Sequence, residues 1–235
     1  MNRKTRSKKE VADHYDRIFL QHGLREGEHY YKLIVSILGY LEGKTLLDVA
    51  CGEGILLREA EKKGANTFGL DMSEESLKKA RMNSPRSRLA LSEGERICFN
   101  FKFDYVTCLG SLEHFGSPEA GCREIAGLLK DNGKAVILLP NQFSMHRLLD
   151  ILFKGGPQDK GFQIIEREAS FNEWRHFLEQ NQLKVLKAFK HNQVPVFFKD
   201  GKVRSLRKFF RKLFLYFLTP FYFARNFIFV CERKR

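Results

Sequence analysis

Three acidic side chains stand where an apolar run gives way to a turn: Asp48 in LLDVACGEG, Asp71 in FGLDMSEES and Glu93 in LSEGERI. A carboxylate at the end of a buried strand is costly unless it is paired or hydrogen-bonded, so each of them asks for a partner. Gly52 and Gly54 follow Asp48 at positions four and six and remove side chains where backbone turns sharply and approaches a ligand. The combination reads as a nucleotide-binding loop. A dinucleotide loop begun at Gly52 needs its third glycine at 57, where Leu57 stands, which argues against a nicotinamide enzyme. A tight turn with no ligand would leave Asp48 and Asp71 unexplained. Two further candidates for chemistry are His114, beside Glu113, and His146. An imidazole titrates near working pH and can take a proton from an acceptor hydroxyl, although an exposed helix histidine is an equal reading of His146.

The elements that position these groups follow from apolar spacing. Val11 to Leu24 and His29 to Leu41 read as two leading helices, the second ended by Gly43. Leu46 to Val49 is a short continuous apolar run, as in a parallel strand buried on both faces. Ile55 to Lys63 reads as a helix, Thr67 to Leu70 as a strand ending in Asp71, and Ser73 as the N-cap of the next helix. Leu89 to Leu91 and Tyr105 to Leu109 are strands three and four. Ser117 and Pro118 open a helix as N-cap and N1, with Gly133 as its stop, and Ala135 to Leu139 is strand five. Strand and helix in alternation predict an α/β fold, a doubly wound, mostly parallel sheet with its ligands outside the carboxyl ends of the strands.

With these residues in hand, the chain resembles the class I S-adenosylmethionine-dependent methyltransferases of the small-molecule type, the group that includes ubiquinone-biosynthesis methyltransferases. The resemblance covers about Tyr15 to Pro140 plus the final strand. It rests on DVACGEG (Asp48 to Gly54), GLDMSEESL (Gly69 to Leu77), SEGERICF (Ser92 to Phe99) and FDYVTCLGSLEHF (Phe103 to Phe115), four pieces in order. It implies a Rossmann-like seven-stranded sheet with an antiparallel last strand at its edge, and S-adenosylmethionine as cofactor. Asp48 with Ala50, Cys51, Gly52 and Gly54 would hold its amino acid end. Asp71, followed by Met72, would accept both ribose hydroxyls, as a carboxylate fork suits. Glu93 and Gly94 would meet the adenine, and Leu109 and Gly110 would line the sulfonium side. Some RNA-terminal relatives bind a metal through E-x-x-E-H; here Gly110 replaces the first glutamate, so no metal is expected. Glu113 and His114 are then expected to cap and orient the loop after strand four, with His114 a candidate base.

Relatives place a variable segment over the acceptor after strand five. Here it is Asn141 to Ala169, a lid with a helix from Ser144 to Phe153 stopped by Gly155, Gly156 and Pro157, and with His146 on it. Ser170 and Glu173 form a capping box that opens a helix with Trp174, Phe177 and Leu178 inward. Leu183 to Phe189 and Phe227 to Cys231 are the last two strands. Between them, Lys199 to Arg225 is a basic and aromatic helical insertion. Lys202, Arg204, Arg207, Lys208, Arg211 and Lys212 come without an acid, with Phe209, Phe210, Leu213, Phe214, Phe217 and Leu218 at helical spacing. Cations first and aromatics after suit a helix lying on anionic lipid through Lys202 to Ala224. Docking on its own sheet, a dimer contact and RNA remain open as alternatives.

The 235 residues, 43% hydrophobic, suffice for a single domain with residues 1–42 as leading helices. Five cysteines without CxxC spacing fit a reduced, cytoplasmic protein, and Met1 to Lys9 lacks the apolar stretch of a signal peptide. The charge of +13 favours an acidic partner. The expectation is a methyltransferase at the inner membrane face acting on a small or amphiphilic acceptor, a quinone precursor or lipid-linked glycan. An RNA methyltransferase and a non-catalytic metabolite-binding relative are the alternatives.

Overall fold

The computed structural model describes residues 8–21, 27–156, 167–192, 198–199, 202–203 and 216–234. Strands β1 (Thr45–Val49), β2 (Asn66–Asp71), β3 (Arg88–Leu91), β4 (Phe103–Leu109), β5 (Leu129–Pro140), β6 (Leu183–His191) and β9 (Asn226–Arg233) make one sheet, and β7 (Phe198–Lys199) and β8 (Lys202–Val203) pair separately. The sheet order is β3-β2-β1-β4-β5-β9-β6. The first five strands run parallel, and β9 is antiparallel to both β5 and β6. The order reverses between β1 and β4, which is where an open α/β sheet leaves a crevice for ligand.

Helices cover both faces, which is why β1 and the second half of β5 are buried almost continuously rather than at alternate positions. On one face α2 (Glu28–Leu38), α3 (Ile55–Glu61) and α4 (Glu74–Asn83) bury Ile34, Leu56 and Leu77 against Leu46, Val136 and Ile228. On the other, α5 (Pro118–Leu128) and α7 (Phe171–Gln180) bury Ile125, Trp174 and Leu178 against Val106, Ile137 and Phe229, with Phe177 half-buried. Trp174 also donates its indole N–H to the carbonyl of Pro140 at 2.7 Å, tying α7 to the end of β5. The expected caps at Ser73, Ser117 and Ser170 each accept a backbone N–H, Ser170 with Glu173 closes a full capping box, and Ser144, expected as a helix's first residue, is an N-cap as well.

Three expectations are corrected. α2 ends at Gly39, whose φ is +85°, and not at Gly43; Leu41 is buried in the connecting turn, which made the apolar spacing look longer than the helix. Gly133 does not close α5. The helix ends at Leu128, and Gly133 lies inside β5 beside a register shift, where a Cβ would stand 2.8 Å from the carbonyl oxygen of Phe103. The last strand is antiparallel but is not the edge: it lies between β5 and β6, so β6 is the edge. Of the basic and aromatic insertion, residues 204–215 lie outside the described residues, as does 157–166 of the expected lid.

Candidate active site

β1 delivers Asp48 to the crevice with its side chain 4% exposed. Its Oδ1 accepts the Thr107 hydroxyl of β4 at 2.6 Å, the residue directly across the ladder. Burial pushes the Asp48 carboxyl up to about 7, with the Thr107 hydrogen bond opposing and the Asp71 charge adding. The backbone then turns through Ala50, Gly52 and Gly54 with φ of +59°, +52° and +71°, left-handed at alternate positions. Ala50 is a non-glycine residue in that region, which costs on the order of 1 kcal/mol. Cys51 is buried and continues the ladder by donating its N–H to Leu70 at 2.9 Å.

Asp71 organises this turn. Its Oδ2 accepts the Gly52 N–H and its Oδ1 the Ser73 N–H, both at 2.9 Å, so one carboxylate holds the glycine loop and the start of α4 together. Burial raises its carboxyl above the usual range, and those N–H groups offset part of the rise. Met72 is half-buried beside it. On the adenine side of the expected ligand, Glu93 pairs as an isolated bridge with Arg96, and Gly94 is buried. A Cβ on Gly94 would stand 2.2 Å from Phe115 Cζ, so glycine is what lets that ring lie over the turn.

The other wall is the end of β4. Leu109 is half-buried, and Gly110, at φ +68°, donates its N–H to Leu138. Glu113 and His114 follow in a short 3₁₀ turn, Leu112–His114. Glu113 is buried, and its Oε1 lies 3.6 Å from Nε2 of the nearly buried His114. Arg167 also fixes the turn. Its guanidinium donates to the carbonyls of Glu113 at 3.2 Å, Phe115 at 2.5 Å and Gly116 at 3.1 Å. His146 is placed elsewhere: on α6 (Met145–Lys154) its side chain is 67% exposed and faces Asp150 at 3.6 Å. A groove of about 410 Å³ lined by Thr67, Arg86 and Arg88 lies at the amino ends of the strands, the opposite edge from this crevice.

The family model described as "Methyltransferase domain" matches residues 10–193. The chain belongs to that family. Its fold and family are those of the class I S-adenosylmethionine-dependent methyltransferases. Among curated relatives it is similar to ubiquinone biosynthesis O-methyltransferases. One, from Alkalilimnicola ehrlichii, is 28% identical over 156 residues, covering 64% of this chain and 61% of that one. Another, from Idiomarina loihiensis, is 34% identical over 134 residues, covering 49% and 53%. The match to each thus spans about half to three-fifths of the relative's length. Among solved structures it is similar to magnesium protoporphyrin IX methyltransferase from Synechocystis with bound SAH, with TM-score 0.66, 16% identity and coverage of 97% and 100%. It is similar also to 1,6-didemethyltoxoflavin-N1-methyltransferase from Burkholderia thailandensis, with TM-score 0.65, 13% identity and coverage of 100% and 94%.

The methyltransferase crevice suits the family's cofactor chemically. Asp71 already accepts the backbone N–H groups above, and a carboxylate's fork of acceptors suits a pair of vicinal hydroxyls. Asp48 is a buried carboxylate held near the point where its charge is lost, and an ammonium beside it would restore that charge. Several contributors escaped the sequence. Thr107 carries a faint signal, a hydroxyl inside an apolar strand. Arg167, Lys79 and Asp16 carry none, because their partners are distant in the chain. His191, ending the edge strand, is another: it is buried against Tyr30 at 4.8 Å between ring centres, and its Nε2 has no hydrogen-bond partner among the described residues. Burial, helped by Arg225, lowers it to about 4.

Proposed function

We propose that this methyltransferase moves a methyl group onto a hydroxyl of a small amphiphilic acceptor, of the quinone-precursor type, at an anionic membrane surface. The observation that carries the reading is α6 turned outward. None of its residues is buried; Leu152 and Phe153 are 72% and 76% exposed, while Arg147 pairs with Glu168 and the Asp150 side chain is only 15% exposed. An amphipathic helix with its apolar face in solvent suits a lipid or lipid-like surface. Exposed Tyr222 lies near its start, because Asn141, just before α6, donates to the carbonyls of Tyr222 and Ala224 at 2.9 and 2.8 Å. The similarity to O-methyltransferases supports oxygen as the methyl acceptor.

Bound S-adenosylmethionine supplies an electrophilic methyl on a sulfonium leaving group. The chain's own work is then to orient and to take a proton. Asp48, the Gly52–Gly54 backbone and Asp71 hold the donor, with Glu93 and Gly94 on its adenine side and Leu109 and Gly110 along its reactive side. His114, with the Glu113 carboxylate 3.6 Å away to orient its ring, is the proton acceptor in place of the exposed His146. Methyl transfer from labelled donor to a prenylated catechol in mixed micelles tests the proposal, with vesicle flotation alongside. Transfer to the prenylated acceptor above that to a water-soluble catechol, with flotation on phosphatidylglycerol vesicles at low salt, is the expected result. Transfer to neither, or binding to RNA in preference to vesicles, overturns it.

A further inference from the structure

Between the two loop glycines stands a carboxylate that no contact with the donor requires. Glu53 is 2% exposed, and Lys79 Nζ of α4 lies 3.2 Å from its Oε1. Two more α4 residues on the same side meet the same loop. Asn83 Nδ2 donates to the Glu53 carbonyl at 2.8 Å, and a Cβ on Gly54 would stand 3.0 Å from Ala80 Cβ. Lys79 also donates to the carbonyl of Phe19, in the last turn of α1 (Lys8–Gln21), where helix carbonyls lack intrahelical partners. The Phe19 ring rests on the loop itself: a Cβ on Gly52 would be 3.5 Å from its Cζ. One turn earlier, Asp16 Oδ1 accepts the Ser73 hydroxyl at 2.5 Å and the Glu75 N–H at 3.3 Å, so α1 is also held at the start of α4.

We infer that Lys79 is a positioning residue for the donor site: it neutralises the buried Glu53 between the loop glycines and fastens α1 across the loop. The inference rests on the donor reading above. A buried carboxylate that loses its facing cation destabilises whatever backbone carries it, here the Gly52–Gly54 turn against which the donor would lie. Because the same ammonium holds the Phe19 carbonyl, its removal loosens the ring over Gly52 as well. The effect on donor binding therefore exceeds that of an ordinary surface ion pair, which is worth little.

The test is calorimetric titration of S-adenosylhomocysteine into the full chain and into Lys79→Met, Lys79→Arg, Phe19→Ala, Lys79→Met with Phe19→Ala, and Glu53→Gln with Lys79→Met. Lys79→Met is expected to weaken binding about tenfold or more, as for loss of a charged hydrogen bond, and Lys79→Arg to recover most of it. Lys79→Met with Phe19→Ala is expected to lose less than the two single losses summed, since both act on one contact. Should Lys79→Met fail to fold, the Glu53→Gln, Lys79→Met pair removes both charges, and the loose α1 should still leave it with weakened binding and faster dissociation. Binding by Lys79→Met, or by that pair, within twofold of the parent chain would overturn the inference. Failure of the parent chain itself to bind would instead overturn the donor reading.

Discussion

The Asp48 carboxyl, lifted by burial to about 7 from the ordinary aspartate range, is charged at neutral pH only at a cost. A raised folded value means that its contribution to stability is complete below about pH 4 and is lost as pH rises through about 7. Asp48→Asn keeps an oxygen for the Thr107 hydroxyl and carries no charge. Thermal melts of the ligand-free chain should therefore show the variant gaining on the parent at pH 8, by on the order of 2–4 kcal/mol, and matching it near pH 4. Donor binding should weaken in the same variant. In the parent chain an ammonium beside Asp48 favours its ionised form, so titration of S-adenosylhomocysteine at pH 6 should release a proton, seen as a dependence of the heat on buffer ionisation enthalpy. Asp71 calls for a different substitution. Asp71→Ala would orphan the N–H groups of Gly52 and Ser73 at about 1–3 kcal/mol each, so lost binding would mix loop collapse with lost ribose contact. Asp71→Asn keeps an acceptor for one of them and should fold while binding about tenfold more weakly; binding equal to the parent would contradict the assignment.

At the scale of elements, the turn after β3 and the turn after β4 are one packed unit through Phe115, whose ring lies within 3 Å of would-be Cβ atoms on both Gly94 and Gly121. Gly94→Ala forces that ring away, also crowding Val49 Cγ1 at 2.9 Å, with no unusual φ to confuse the cause. A loss of about 1–3 kcal/mol in denaturant melts is expected, with weaker donor binding. The elements themselves were legible because their signals are local. Strand runs, three serine caps, and Gly52 and Gly54 each declare themselves within a few residues. What stayed hidden was tertiary. Asp48 meets Thr107 across 59 residues, Ser73 meets Asp16 across 57, and Arg167 reaches the Glu113 carbonyl across 54. Gly43 and Gly133 misled because a glycine after apolar spacing looks like a stop whether the helix has already ended or not.

The donor half of the molecule was readable because one loop and one acidic strand end define it. The proposed acceptor half was less so, since its walls would come from α6, Arg167 and the segment before β9, which are far apart in the chain. Among the described residues no helix is long and apolar enough to cross a membrane. Contact with lipid therefore rests on the exposed face of α6 and on the +13 charge. Leu152→Ser with Phe153→Ser should reduce flotation on phosphatidylglycerol vesicles several-fold without lowering the melting temperature, since neither side chain is buried, and added salt should weaken binding further. Unchanged flotation would remove α6 from the interface.

One measurement bears on all three scales, titration of S-adenosylhomocysteine into the full chain at pH 7.5 with Asp71→Asn as reference. The structure predicts a single site per chain with a Kd on the order of micromolar, weakened about tenfold in the variant. No saturable heat from the parent chain, or an equal Kd in both, would contradict the assignment of this crevice as the methyl-donor site.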